Sequence, residues 1–385
     1  MMMKKLSAVA LAAAMSFSLS ACTLGSTSWI LKYGDDNQEV PTGIYVQNMY
    51  TAYSAAGQYA TGGDTLLESS IEDKTADQWI RDTAMNLTKQ YLAVTLKFDE
   101  LGLTLTEAEN TNIQSMVDSV WKSYGESYTL MGVNRDSYQK MLEYTAKTGD
   151  LFQHFYGEGG ELAPTEEEYK QYFNDNYDRT RAVSYAKTSV DTMTEDELAA
   201  AEAELEEGET LPESGKAQAE AALARLQNGE DMITIIKEME AEQESESEEE
   251  TADGEETAEE ETDPSEYDNV VSINNTSVPE VYRTESHAMA VGEVKIIESD
   301  NYYYVVEKLE LDPDGSELTA RKSSLLQEMK SDEFDAMVQE WIAALPELTV
   351  NEKTVEEFSP EVIDVYKRQT SLILPVPSAM PQLLW

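Results

Sequence analysis

Apolar positions in the first half of the chain recur every three or four residues. Between about Asp77 and Leu101, the residues Trp79, Ile80, Leu87, Tyr91, Leu92, Val94 and Leu96 fall on a helical period, and Gly102 supplies a stop. Upstream, Val40–Ala60 opens on a turn and runs into an aromatic-rich helix with Tyr45, Tyr50 and Tyr53. Downstream, Thr106-x-x-Glu109 is a capping box, in which each side chain accepts the other residue's backbone N–H. It predicts a helix carrying Ile113, Met116, Val117, Val120 and Trp121. Asn134 caps another that runs through Tyr138, Met141, Leu142 and Tyr144 to Phe155, and Thr165-x-x-Glu168 opens a short one ending near Tyr177. This stretch predicts an all-helical bundle.

The period changes at Arg179. Thr180–Val190 alternates like a strand, and Thr194-x-x-Glu197 caps an acidic helix. Two more helices follow, broken at Asn228-Gly229. Residues 240–268 hold 16 acids in 29 positions and no base, so they lack the apolar surface needed to repay ordering, and a disordered loop is expected. Two short strands, Val294–Ile297 and Tyr302–Leu309, come next, joined by a polar turn. A final helix from about Leu318 to Leu345 places Leu325, Leu326, Met329, Phe334, Met337, Trp341 and Ile342 on one face. No internal repeat is present.

Both ends stand apart from this pattern. Lys4 and Lys5 precede an apolar run that closes on Leu19-Ser20-Ala21-Cys22, too short to span a membrane and similar to a signal peptide. The ending resembles a bacterial lipobox, and the chain's single cysteine stands where lipid would be attached. On that resemblance Cys22 anchors the protein outside the cytoplasmic membrane. At the other end, Asp364–Gln369 back-translates to a string resembling a transposase adapter used in sequencing libraries, and residues 364–385 are read as artefactual and excluded from the fold. The expected organisation is a signal peptide at 1–21, a linker at 22–39, a helical domain at 40–178, a mixed domain at 179–311 and a closing helix at 312–358. The fold class is α+β.

Charge narrows the function. The 385 residues carry 76 Asp and Glu against 27 Lys and Arg, a net charge of −49, which argues against a nucleic-acid partner and against adsorption to anionic lipid. One cysteine rules out an internal disulfide framework, and two histidines nearly exclude a multi-histidine metal centre, so no metal or cofactor is implied. The chain has no phosphate-binding Gly-Lys-Ser/Thr loop, no Gly-x-Ser-x-Gly elbow and no His-Glu-x-x-His. The acidic run lacks the spaced ligands and fixed glycine of a calcium loop.

Three stretches carry a family resemblance. LGLTLTEAE, KAQAEAALARLQNGEDMITIIKEM and SVPEVYRTESHAMAVGEVKIIESDNYYYVVEKLEL resemble segments of the PrsA and SurA type of extracytoplasmic foldase. That resemblance implies a mostly helical chaperone domain, made of the N-terminal helices and the C-terminal helix. It also implies a small β-α-α-β-β peptidyl-prolyl isomerase domain of parvulin type, here carrying the acidic insertion. The family's catalytic histidine positions fall on Ser184 and near Tyr304, its pocket phenylalanine on Met232, and a further pocket position near His287. Neither histidine of the family's site is retained, and its Gly-Gly-Asp-Leu-Gly loop is missing. The resemblance therefore implies an ATP-independent holder of unfolded exported proteins with a degenerate isomerase module. Trp79, Tyr91, Trp121, Tyr124, Tyr128 and Tyr138 are the candidate client-binding residues. Two other readings stay open: an active, divergent prolyl isomerase, and a solute-binding or spacer lipoprotein.

Overall fold

The computed structural model describes residues 28–205, 210–248 and 264–373. The predicted signal segment, Cys22 and residues 249–263 of the acidic run lie outside the described residues. The strands are β1 (Trp29–Tyr33), β2 (Gln38–Pro41), β3 (Ser70–Ile71), β4 (Lys74–Thr75), β5 (Tyr177–Ala186), β6 (Asn269–Ser272), β7 (Val294–Glu298), β8 (Tyr302–Leu309) and β9 (Leu348–Val350). The helices are α1 (Thr42–Tyr59), α2 (Ala76–Glu100), α3 (Glu107–Leu130), α4 (Arg135–Tyr156), α5 (Glu166–Asn176), α6 (Glu195–Ala203), α7 (Gly215–Gln227), α8 (Met232–Glu248), α9 (Glu280–His287), α10 (Ser316–Ala343), α11 (Glu352–Glu357) and α12 (Pro360–Ile373). The fold is α+β and mostly helical.

The chain divides into two compact units. One comprises the described residues up to Ala163 together with those from Lys330 on, and the other is Pro164–Met329. The boundary thus falls ahead of α5, where the sequence pattern suggested Arg179. Side chains explain the shift. Tyr177 donates to Glu328 at 2.6 Å, Tyr172 donates to the same carboxylate at 3.3 Å, and Lys322 pairs with Glu166, so α5 and the first half of α10 belong with the sheet.

In the first unit α1 is buried on nearly every side, with Ile44, Tyr45, Val46, Met49, Ala52 and Ala56 fully enclosed. Such a helix shows little one-sided patterning, because every face meets protein. Its Asn48 amide donates to Thr88 of α2 at 3.1 Å, which satisfies a buried polar group. Capping boxes close the N-termini of α3 (Thr106/Glu109) and α5 (Thr165/Glu168), and Asn134 caps α4. From α10, Phe334 is fully buried and meets Phe152, Tyr156 and Trp341 edge-on, at centroid distances of 5.4, 6.3 and 5.8 Å.

Two expectations at the ends require correction. The linker expected at 22–39 contains β1 and β2, and a three-stranded antiparallel sheet forms in the order β2-β1-β9. Ile30 and Leu31 are fully buried there, and Asn351 and Thr354 both donate to the Trp29 carbonyl. The excluded stretch after Asp364 is not structureless, for α12 runs through it to Ile373. Tyr53 of α1 donates to Asp364, and Lys367 donates to Ser54 at 2.9 Å. Ile363, fully buried, seats the start of this helix.

One acid pair in this unit makes its stability depend on pH. Burial first, and then the neighbouring Glu109 carboxylate, push Asp150 up to about 6, while the Thr106 hydroxyl and N–H hold Glu109 below its ordinary value. A raised carboxyl keeps its proton in the folded state after the unfolded chain has lost it. Its contribution is therefore fully present at low pH and lost as pH rises from about 4 to about 6. Asp150→Asn should raise the melting temperature at pH 7 and leave it unchanged at pH 4, as thermal melts across pH would show.

The second unit is built on a four-stranded antiparallel sheet in the order β6-β5-β8-β7. α7 and α8 cover one face, where Val183, Ala219, Ala222, Met232, Ile235, Tyr303 and Val305 form a core. α9 covers the other, over Tyr282, Met289, Ile297 and Val306. The strand expected at Thr180–Val190 ends at Ala186, because Thr188 and Asp191 close a capping box and turn the chain. Asp191 then accepts from Ser214 Oγ and from the Gly215 and Lys216 N–H groups, which fixes the start of α7. Desolvation opposes its charge, but these bonds and those from Thr188 outweigh it and hold the carboxyl well below the ordinary aspartate range. Gly215 is required by close approach: a Cβ there would lie 2.1 Å from the Ala186 carbonyl oxygen. α8 continues through Glu248, so the stretch expected to be disordered from residue 240 begins as helix. Where the described chain resumes, Asp268 is gripped by Arg179 at 2.6 Å and Arg181 at 2.7 Å, which registers β6 beside β5.

Candidate functional site

Side chains alternate across a strand, so β5 sends Val183 to one face and Asp178, Thr180, Ala182 and Ser184 to the other. β8 does likewise, with Tyr303 and Val305 on the first face and Tyr304, Val306 and Lys308 on the second. The register sets Ser184 opposite Tyr304 and Ala182 opposite Val306, so Ser184 and Tyr304 are brought together as a cross-strand pair.

Above this pair stands α9, led in by Val278 and Pro279. Tyr282 bonds to the Thr180 hydroxyl at 2.9 Å, and its ring meets Tyr304 edge-on at 5.1 Å. Burial, partly offset by the Thr180 bond, pushes the Tyr282 hydroxyl above the ordinary tyrosine value, so it stays a neutral phenol at physiological pH. Between sheet and helix lies a cavity of about 310 Å³ whose walls include Ala182, Ser184, Val278, Pro279, Tyr282 and Tyr304. A wider groove of about 690 Å³ shares Pro279 and Tyr304 and continues over the β7–β8 turn, past Tyr302, Glu280, Glu298 and Asp300. The result is a cleft with an apolar and hydroxyl-bearing floor at one end and acidic walls at the other.

The other two expected site residues lie elsewhere. Met232 is buried on the opposite face among the core residues of α7 and α8, where it does not line the cavity. His287 sits at the C-terminal end of α9, with its Nδ1 3.1 Å from Asp178. Asp178 precedes Ser184 by six residues on an extended strand, a separation of about 20 Å. His287 therefore belongs to a polar cluster beyond the cleft, in which Asp178 also binds Lys308 and the Lys308 ammonium donates to the Ser286 carbonyl at 3.0 Å. His154, on α4, rests edge-on against Phe155 in the first unit. No imidazole reaches the Ser184–Tyr304 pair. Sequence reasoning missed Tyr282 and Pro279; the apolar step Val-Pro followed by Val-Tyr was the available signal for a short helix laid on the sheet.

The candidate client-binding aromatics are of two kinds. Tyr91, Tyr128 and Tyr138 are buried: Tyr91 packs on Tyr144 at 5.6 Å, and Tyr128 on Tyr138 at 5.1 Å. Trp121 and Tyr124 are half-buried, Trp121 stacking on Tyr128 at 6.0 Å. Trp79 is half-buried beside Tyr59, a residue 60% exposed. Among the described residues no group of three or more His, Cys, Asp or Glu side chains is arranged to hold a metal ion, and no helix is long and apolar enough to cross a membrane.

No family model and no curated protein matches this chain. Among solved structures, the chain is similar to the foldase protein PrsA from Lactococcus lactis, at 14% identity and a TM-score of 0.34, covering 86% of this chain and 100% of that one. It is similar to the foldase protein PrsA from Streptococcus pneumoniae at 13% identity and a TM-score of 0.33, covering 81% and 98% of the two chains. A third similar structure is the peptidylprolyl isomerase PrsA from Bacillus cereus, at 12% identity and a TM-score of 0.32, covering 75% and 95%.

Proposed function

We propose that this chain is an extracytoplasmic foldase-type chaperone, held at the membrane by lipid on Cys22, that binds unfolded segments of exported proteins without ATP. The observation that carries this reading is the cleft between β5, β8 and α9, where Ser184, Tyr304, Tyr282, Val278 and Pro279 line a cavity of about 310 Å³. Its size and mixed apolar and hydroxyl lining suit one or two side chains of an extended peptide, with hydroxyls available to the peptide carbonyls. Trp79, Trp121 and Tyr124 provide further apolar contact on the helical unit, where burial leaves part of each ring accessible.

The module is read as a degenerate prolyl isomerase. Rotation about a peptide bond faces a barrier of about 18–20 kcal/mol. Lowering it requires a pocket that favours the twisted amide over the planar one. Here hydroxyls replace imidazoles at the two matched positions. The purified chain is expected to suppress aggregation of a reduced, unfolded exported protein at near-stoichiometric ratio, without nucleotide. In a protease-free prolyl isomerisation assay it should give no acceleration over background. Failure to suppress aggregation across several clients would count against the chaperone reading. Acceleration that Tyr304→Phe abolishes would replace the degenerate module with an active one, a reading favoured by the cross-strand pairing of Tyr304 with Ser184.

A further inference from the structure

The acidic end of the cleft is not needed to hold an apolar segment. Three carboxylates, Glu280, Glu298 and Asp300, border the groove beyond Tyr304, against one ammonium, Lys187. Lys187 is already committed: its Nζ lies 2.6 Å from Glu298 and 4.9 Å from the centre of the Tyr303 ring. Glu280 and Asp300 are exposed, and neither makes an ion pair among the described residues. The turn that carries Asp300 is held rigidly. Lys187 N–H donates to the Asn301 carbonyl at 2.8 Å, and Tyr302 N–H donates to Ser299 Oγ at 3.1 Å. Glu280 is the first residue of α9.

We propose that the cleft selects positively charged segments. An extended chain with an apolar residue between Ser184, Pro279 and Tyr304 carries its next residues along the groove toward Glu280 and Asp300. There Lys or Arg gains two carboxylates that make no ion pair among the described residues, whereas Asp or Glu is repelled. The occupant is thus an unfolded segment in which an apolar or proline residue is followed closely by a cation. This proposal rests on the reading of the cleft as a peptide site. The chain's overall charge of −49 attracts any cation from a distance, so the groove's own share has to be separated from that general field.

The test uses fluorescent peptides with one apolar, proline-containing core, flanked by lysines, by serines or by glutamates, titrated against the whole chain at low and high salt. The lysine-flanked peptide is expected to bind on the order of tenfold tighter than the glutamate-flanked one at low salt, with the gap narrowing at high salt. Glu280→Gln with Asp300→Asn should close most of that gap. The same number of substitutions on α7 and α8, which cover the opposite face of the sheet, Glu220→Gln with Glu240→Gln, should leave it. Tyr304→Ala should weaken all three peptides alike. A lysine preference that survives Glu280→Gln with Asp300→Asn overturns the proposal, because the preference then comes from the general field. Equal binding of the three peptides that Tyr304→Ala still weakens also overturns it, while leaving the peptide-site reading intact. Absence of binding by every peptide, or binding insensitive to Tyr304→Ala, removes the peptide site itself and the proposal with it.

Discussion

Asp178→Ala is expected to destabilise the sheet unit by about 3–5 kcal/mol, because it strands a buried ammonium. The Asp178 and Lys308 side chains are only 8% and 9% exposed, and the other protein acceptor of the Lys308 ammonium is the Ser286 carbonyl. Removing the carboxylate also releases His287 and the end of α9, which roofs the cleft. Replacing both partners with apolar residues of similar volume, Asp178→Leu with Lys308→Met, should restore most of the loss, since neither charge then remains to be solvated. The two units can be followed separately, because no tryptophan lies between Pro164 and Met329. Amide exchange at β5 and β8 in rising urea reports the sheet unit, and tryptophan fluorescence the other. A loss below about 1 kcal/mol, the range of exposed ion pairs, would show that water reaches Lys308 and that the pair is not structural.

Phe334→Ala is expected to destabilise the helical unit by about 3–5 kcal/mol, the range for truncating a fully enclosed aromatic ring. The ring touches Phe152 and Tyr156 on α4 and Trp341 two turns along the same face of its own helix, so the cavity left behind is walled by large, rigid groups that close in poorly. Trp341 lies 5.8 Å away and reports the change directly in its emission. Amide exchange at β5 and β8 should not move. An effect on the sheet unit as large as on the helical one would contradict the division into two units.

Much of the helical framework was legible because its signals are local. Thr106/Glu109, Thr165/Glu168 and Thr194/Glu197 each close a capping box at the position where the sequence places one, and the helix break at Asn228-Gly229 separates α7 from α8. The two strands after Val294 were readable for the same reason, as alternation bounded by a polar turn. What escaped depends on partners far away in the chain. β9 is three residues long and acquires meaning only beside β1, to which it is joined through Leu31 and Val350. α9 has eight residues, of which Tyr282 and Ser286 are buried, too short a run for periodicity to reveal. In the site, Ser184 and Tyr304 came from the family resemblance alone, and it is the strand register that sets them opposite each other. Met232 was misjudged for the cleft because a helix position fixes which residue turns inward but not which face of the sheet receives it. His287 was drawn away from the cleft by Asp178, a carboxylate more than a hundred positions earlier in the chain.

The pairing of β1 with β9 imposes an order of events during synthesis. The sheet unit is one unbroken stretch, Pro164–Met329, and its contacts close as soon as that stretch has emerged. The helical unit is interrupted by it. Leu31 waits for Val350, Tyr53 for Asp364, and Phe152 for Phe334. The first described strand to be made is therefore among the last to find its neighbour, and loop closure of that length makes its final docking slow. A chain halted before residue 330 would have a finished cleft and an unfinished helical unit, with α1 and α4 still exposing the apolar surfaces that α10, β9 and α12 later cover.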